Sequence, residues 1–215
     1  MLPALDTPQL VALAAALGWA SGLRLYAVVF LTGLAGRLEW MTLPEGLRVL
    51  MSTPLLALSG ALLLVEFLAD KLPWVDSAWD AVHTVLRIPA GAALAAGVFG
   101  GEGAAWTAAA ALLGGGLAAT SHAAKASVRA SANLSPEPFS NWALSLADDL
   151  AVPGALWFAW AHPLAFLVVL AVVVVLMLWA VVVLAGRLRR LWRQRPAPPA
   201  WLRGAASGEG GRPRY

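Results

Sequence analysis

Charged side chains in this chain are concentrated in a few short blocks, and the long stretches between the blocks are apolar. Hydrophobic residues make up 60% of the sequence and charged residues 13%, about half of the roughly 25% that soluble domains carry. Ionisable groups are costly in hydrocarbon, so in membrane proteins they face the protein interior or a wet cavity. The pattern therefore predicts a membrane protein with a polar site inside an apolar bundle.

Prolines and apolar runs divide the sequence into six predicted membrane segments. About nineteen helical residues extend over roughly 28 Å, which is enough to cross the hydrocarbon layer. The last segment is the plainest, an almost unbroken run of Leu, Val and Ala. Two segments are short, and each begins near a proline, Pro89 or Pro153. The predicted spans are 8–37, 54–72, 88–100, 104–126, 150–161 and 163–186.

The predicted fold class is an all-α membrane protein with about six transmembrane segments and amphipathic helices on the cytoplasmic side. The stretches 75–87 and 139–150 carry polar and apolar stripes at helical spacing. Each stretch follows a span and precedes a short segment, which gives a weak internal repeat. Short or Pro-interrupted segments at matching places in two halves are typical of transporter binding sites. Residues 1–187 are predicted to form one polytopic domain, and 188–215 a basic, Pro- and Gly-rich disordered tail.

The distribution of basic residues indicates the orientation in the membrane. One side of the predicted topology holds twelve Lys and Arg residues, which are Lys71, Arg87, Lys125, Arg129 and eight after Gly186. The other side holds Arg37 and Arg48. Because Lys and Arg accumulate in cytoplasmic loops, this bias predicts that both termini are cytoplasmic. The basic tail is interpreted as a membrane anchor rather than as a nucleic-acid-binding segment.

Two acids near the end of the second span form the candidate cation or proton site. Glu66 and Asp70 are four residues apart, so they share one face of a helix. Hard cations take several oxygen ligands, and two carboxylates one turn apart supply a start. The alternative is structural: the two acids pair with Lys71, Lys125 or Arg129 and hold the bundle together.

The other polar residues fall on helical stripes. Asp76, Asp80, His83 and Arg87 make one stripe, which is either part of the site or a solvated interfacial face. Two histidines could relay protons, because histidine changes charge near neutral pH. Arg24 either reaches toward water, pairs with an acid or binds an anion. The further polar-site candidates are Arg24, Lys71, Asp76, Asp80, His83, His122, Lys125, Arg129, Asn133, Asn141, Asp148 and Asp149.

Enzyme motifs are absent from the sequence. It contains no G-x-S-x-G, no H-E-x-x-H and no phosphate-binding loop. It also contains no cysteine, which excludes disulfides and thiolate metal sites. The chain is therefore not expected to be an enzyme, no catalytic or cofactor-binding residue is predicted, and the cofactor is left open.

Three motifs resemble a known family over roughly residues 18–185. The first is Gly22-Leu-Arg-Leu-Tyr26, and the second is Glu66-x-x-x-Asp70-Lys71-x-Pro73-x-x-Asp76-x-x-Trp79-Asp80-x-x-His83. The third is His122-x-x-Lys125-Ala-x-x-Arg129-x-x-x-Asn133-x-Ser-Pro-Glu-Pro-x-x-Asn141. Together they resemble the uncharacterised bacterial membrane family called domain of unknown function 4126. The resemblance implies a multi-pass protein of the bacterial inner membrane and implies no established activity.

The leading functional hypothesis is a small secondary transporter or channel-like carrier for a cation or a proton-coupled solute. The alternative is a non-catalytic membrane scaffold or assembly factor whose buried charges are structural, and a third is a lipid-modifying enzyme. The expected partners are the lipid bilayer and an inorganic cation or a proton, with no nucleic acid. The substrate and the oligomeric state are left open.

Overall fold

The computed structural model of the protein describes residues 5–69, 73–132 and 138–193. Side chains are described in these ranges except at 73, 74, 76–78, 80, 81, 138–141, 188 and 191–193. Within these ranges every regular element is a helix. The α-helices are α1 (Thr7–Arg37), α2 (Thr53–Ala69), α3 (Pro73–Val98), α4 (Ala104–Ala132), α5 (Pro138–Ala161) and α6 (Pro163–Arg193), with a 3₁₀ helix (Glu45–Met51) before α2.

Local sequence explains where the helices begin. Asp6 caps α1, because its carboxylate accepts from the Gln9 amide at 2.8 Å and the Gln9 side chain accepts from the Asp6 amide at 2.9 Å. Three of the later α-helices begin with proline itself. Proline suits a first helical position, since its missing N–H would have no partner there.

The structure corrects several predicted boundaries. Pro89 and Pro153 lie inside continuous helices, α3 and α5. A proline removes one helical hydrogen bond, and packed neighbours compensate for this in membrane bundles. Helix α6 continues to Arg193, past the predicted start of the tail, while 194–215 lie outside the described residues. The predicted amphipathic stretch 75–87 and the predicted span 88–100 thus belong to one helix, α3. The stretch 139–150 and the span 150–161 likewise belong to α5.

Length and composition identify the helices that could cross a membrane. Among the described residues, α1 and α6 are long and apolar enough, and a third span results if the 3₁₀ helix and α2, bent by 69°, count as one. These apolar helices indicate a membrane protein, but six spans are not confirmed. In its most apolar window α1 is 83% buried and α6 is 6% buried. Helix α1 is therefore the centre of the bundle, packed against all five other α-helices, and α6 is an outer wall.

Helix α1 is broken at Arg24. The backbone angles of this residue (φ −146°, ψ 89°) are extended rather than helical. Gly18 and Gly22 in the sequence predict a break slightly earlier, at 18–22, because glycine weakens a helix. The break divides α1 into a first arm, residues 7–23, and a second arm, residues 25–37.

The first arm runs in the same direction as α4. The carbonyl of Trp19 accepts a hydrogen bond from Ser121, and the carbonyl of Leu23 accepts one from Lys125. The residue numbers rise together along both helices. The second arm runs opposite to α2, because Arg37 at its end bonds Thr53 at the start of α2. Earlier in the second arm, Phe30 packs against Gly60 further along α2.

Helices α2 and α4 both run opposite to α3. Glu66 near the end of α2 contacts Arg87 in α3, while Gly97 near the end of α3 packs against the 3₁₀ helix that precedes α2. Arg87 also meets His122 of α4, and the later Gly91 meets the earlier Gly114. Helices α2 and α4 therefore run in the same direction. Since the first arm runs with α4 and the second arm runs opposite to α2, the two arms are antiparallel to each other. They form a hairpin with Arg24 at its tip.

The two ends of α1 therefore lie at the same end of the bundle. Leu13 in the first arm and Thr32 in the second line one cavity, although a straight helix would separate them by about 28 Å. We call this the first end of the bundle, formed by 5–7, 37–53, 98–104 and 161–163. The second end is formed by 69, 73, 132, 138 and 193.

Small residues allow the close contact between α1, α3 and α4. A methyl group on Gly114 would lie 2.6 Å from the carbonyl oxygen of Gly91 and would overlap Ala95, whereas one on Gly116 would meet nothing within 4 Å. Small residues at helix contacts are typical of membrane bundles, where they let backbones approach closely.

This geometry gives a prediction with a matched control. Gly114→Ala should lower the free energy of unfolding by about 1–3 kcal/mol, because the added methyl forces the helices apart. Gly116→Ala, on the same helix, should leave it unchanged or raise it by up to about 1 kcal/mol through helix propensity. Thermal unfolding of the purified variants in detergent measures both. Equal effects of the two substitutions would show that α4 does not pack closely at Gly114.

Candidate functional site

The hairpin tip is held by polar contacts from α5. The Arg24 side chain is fully buried, and its Nη2 donates to the Ser145 hydroxyl at 3.0 Å and to the Ser145 carbonyl at 3.3 Å. The same nitrogen lies 3.0 Å from an Asp149 carboxylate oxygen. A charge-assisted contact of this kind stabilises a buried guanidinium that would otherwise be strongly disfavoured.

Side chains of α4 bind the backbone of the first arm next to the tip. The Ser121 hydroxyl donates to the Trp19 carbonyl at 2.7 Å, and Lys125 Nζ donates to the Leu23 carbonyl at 2.8 Å. Backbone groups inside a membrane protein need internal partners, and a broken helix loses some of its own. Lys125 therefore supplies a partner for the Leu23 carbonyl, which is among the last four of the first arm, and Ser121 adds a second contact one turn earlier, at Trp19.

The tip opens on a cavity of about 300 Å³ between α1, α4, α5 and α6, which we call the tip cavity. Leu23, Lys125, Arg129 and Asp148 line it, together with apolar side chains of α6. Asp148 lies 3.3 Å from Lys125 Nζ and 3.7 Å from Arg129 Nη2. The cavity thus has an apolar wall and one charged corner directly beside the hairpin tip.

A second polar cluster joins α2, α3 and α4. Arg87 Nη2 contacts a Glu66 carboxylate oxygen at 2.7 Å, and both side chains are fully buried. Arg87 Nη1 lies 3.4 Å from Nδ1 of His122, whose Nε2 is 2.8 Å from the Thr84 hydroxyl. A guanidinium only donates, so Nδ1 accepts and Nε2 carries the proton in the neutral ring. Proton transfer to His122 would therefore place a second positive charge against Arg87.

The second histidine, His83, lies beside the second arm. Its Nδ1 is 2.7 Å from the Trp79 carbonyl, which only accepts, so Nδ1 of His83 carries a proton. In the neutral ring Nε2 then accepts from the Tyr26 hydroxyl at 2.9 Å. The Trp79 ring stacks on His83 with centroids 4.1 Å apart. This arrangement connects α3 to the hairpin two residues after its tip.

The structure places five of the predicted site residues in two groups. Glu66 and His122 meet around Arg87, whereas Lys125 and Arg129 meet Asp148. The observed partner of Glu66 is thus Arg87, which the structural alternative for that acid had not named. Arg24 contacts the acid Asp149, and His83 contacts Tyr26.

Six of the predicted residues have no described side-chain environment. Asp70, Lys71 and Asn133 lie outside the described residues, and Asp76, Asp80 and Asn141 lie in helices but outside the described side chains. Within the described part, no three His, Asp or Glu side chains form a group that could hold a metal ion. The Glu66–Asp70 cation site stays a prediction, and any cation there would share Glu66 with a guanidinium.

Sequence reasoning missed some of the residues that complete these clusters. Arg87 had a signal, since it continues the stripe of His83 one turn later, and Ser145 lies on the stripe of Asp148. Tyr26 and Thr84 carry no signal of their own, because their partners come from distant segments of the chain.

Comparison with known proteins identifies a family but no function. No curated protein and no solved structure matches the chain. The sequence model of one family matches residues 11–183, which is most of the chain. This confirms the resemblance inferred from the three motifs. The chain belongs to the family described as domain of unknown function (DUF4126).

Proposed function

We propose that this protein is a small secondary carrier in which α2 to α6 cross the membrane and α1 enters and leaves from the first end. The observation that carries the proposal is the broken central helix, whose tip is buried among charged groups beside a cavity. This replaces the six crossings expected from the sequence by five crossings and one re-entrant hairpin.

Two features of the site support a carrier. Discontinuous helices at mid-depth form the substrate and ion sites of many secondary transporters. Charged side chains inside a membrane bundle are costly and usually mark a substrate or ion path. Arg24 forms the break in α1 and is itself a fully buried charge.

The histidines supply a means of proton coupling. His122 and His83 each connect a different helix to the clusters around the tip. Protonation of His122 at Nδ1 would remove the acceptor that faces Arg87 and would repel its guanidinium, whereas the Glu66 contact at 2.7 Å would still hold Arg87. Histidine is the side chain whose charge changes nearest neutral pH, so a proton gradient can bias such an arrangement. The carried solute is thus expected to move with protons.

One observation favours the scaffold alternative. The ion pairs Glu66–Arg87, Arg24–Asp149 and Lys125–Asp148 are each formed within the bundle, the first fully buried and the other two with a partly exposed acid. A rigid scaffold needs such pairs and has no need for access to the tip from two sides. The two functions therefore differ in the accessibility of the tip cavity.

Cysteine labelling tests this difference, because the chain contains no cysteine. We expect Leu23→Cys, at the tip cavity, to react with a membrane-impermeant maleimide in intact cells and in inside-out vesicles. Leu170→Cys is the control, since Leu170 is similarly buried and lines neither cavity described here, and it should react from neither side. Labelling of Leu23→Cys from one side only, or from neither, would reject the carrier and favour the scaffold.

A further inference from the structure

A second cavity, of about 360 Å³, lies at the first end between the two arms of α1 and helix α5. We call it the arm cavity. Leu13 and Ala35 line it from the two arms, and Leu156 lines it from α5. It has more than twice the volume of an engineered cavity of about 150 Å³ that binds benzene. The arm cavity is therefore large enough for part of an extended apolar molecule.

One buried hydroxyl in the arm cavity has no partner in the described part of the chain. Thr32 is 1% exposed, and its Oγ1 makes no hydrogen bond there. Other hydroxyls in these helices behave differently: Ser21, Ser59 and Thr120 each donate to the carbonyl four residues earlier. A buried hydroxyl without a partner costs roughly 1–3 kcal/mol. An occupant with a hydrogen-bond acceptor would remove that cost.

Three tryptophans are among the lining residues of the arm cavity. Trp40 and Trp157 line it and are 68% and 65% exposed, and Trp160 lines it as well. Exposed indole rings in membrane proteins lie at the level of the lipid headgroups. In the proposed topology the cavity thus opens where acyl chains meet their ester groups.

We propose that the arm cavity binds one phospholipid, with an acyl chain between the two arms and an ester carbonyl that accepts a hydrogen bond from Thr32. The apolar lining fits the chain, and the carbonyl supplies the acceptor that the hydroxyl lacks once the arms move apart slightly at Thr32, since this side chain is 1% exposed in the structure. A single water molecule would leave most of the volume empty and would have few polar partners in this lining. The bound lipid would hold the two arms at a fixed separation. This proposal does not depend on transport.

Photo-cross-linking in lipid nanodiscs tests the proposal. The probe is a phosphatidylethanolamine that carries a diazirine in the middle of one acyl chain, and mass spectrometry maps the cross-linked residues. We expect cross-links at Leu13, which is 3% exposed and out of reach of the surrounding bilayer lipid. Cross-links at Leu164 and Val168 on the exposed face of α6 serve as an internal standard.

Thr32→Val, which keeps the shape and removes the hydroxyl, should reduce the Leu13 signal about five-fold relative to the standard, as loss of one hydrogen bond implies. Ala35→Phe should remove it by filling the cavity, while Ala171→Phe on the exposed face of α6 should not. Absence of cross-links at Leu13 in the wild type would overturn the proposal and leave water as the occupant. An unchanged signal in Thr32→Val would equally reject the hydrogen-bonded lipid.

Discussion

Replacement of Glu66 by glutamine should lower the free energy of unfolding by about 3–5 kcal/mol. The reason is that Glu66 and Arg87 are both fully buried and lie 2.7 Å apart, so the substitution leaves the guanidinium without its counter-charge in a low-dielectric interior. Arg87→Gln should cost a similar amount by the same argument. Thermal or denaturant unfolding in detergent, followed by circular dichroism, measures both losses.

The double variant shows whether the two side chains act as a pair. Glu66→Gln with Arg87→Gln should lose less than the sum of the single losses, by about 1.5 kcal/mol or more, because both charges are removed together. Glu102→Gln is the control, since Glu102 is exposed, and it should change stability by less than about 0.5 kcal/mol. A Glu66→Gln protein as stable as the wild type would show that no ionised pair exists at this position.

The sign of this effect could not be predicted from the sequence. A lone buried carboxylate at Glu66 would be relieved by glutamine, so the cation-site hypothesis implies equal or higher stability. The partner, Arg87, lies in the next helix and was visible only as the last member of a polar stripe. A stripe indicates which residues share a face, but it does not indicate which neighbouring helix that face contacts.

The existence of the helices could be predicted, whereas the hairpin could not. Prolines and apolar runs located most helix starts. The Ala- and Gly-rich sequence of α4 also favours close packing, and Gly114 does pack closely against Gly91. The predicted break at 18–22 rested on glycines, yet Gly22 is needed for contact with α4, where a methyl group would overlap Ser121 and Ala118. The actual break at Arg24 depends on contacts with α4 and α5, which local propensity does not contain.

The Glu66–Arg87 cluster and the Lys125–Arg129–Asp148 cluster each pair acids and bases of two consecutive helices, but the order of acid and base along the chain is reversed. In the first unit of the predicted repeat, α2 and α3, the acid Glu66 is on the first helix and the base Arg87 on the second. In the second unit the bases Lys125 and Arg129 are on the first helix and the acid Asp148 on the second. Helices of both units pack against α1, and each unit contributes one ion-paired cluster.

The hairpin gives the second large prediction, which concerns the side of the membrane on which α1 begins. A reporter fused before Leu5 should be on the side opposite to a reporter fused after Arg195. Six crossings would place both on the same side. Reporters inserted at Glu102 and after Arg195 are the controls, because both topologies place the first outside and the second in the cytoplasm.

The distribution of basic residues along the chain is equally compatible with the hairpin and with six crossings. The bias of basic residues toward the second end does not change, since the hairpin alters only the side on which α1 begins. Residues 5–23 contain no Lys or Arg, so no basic side chain in the first arm opposes an external start of α1. A pH-sensitive or protease-cleavable reporter before Leu5 distinguishes an external from a cytoplasmic start of α1, because its signal is complete in one case and absent in the other. A cytoplasmic reporter at that position would show that α1 crosses the membrane, and the re-entrant arrangement around Arg24 would then have to be abandoned.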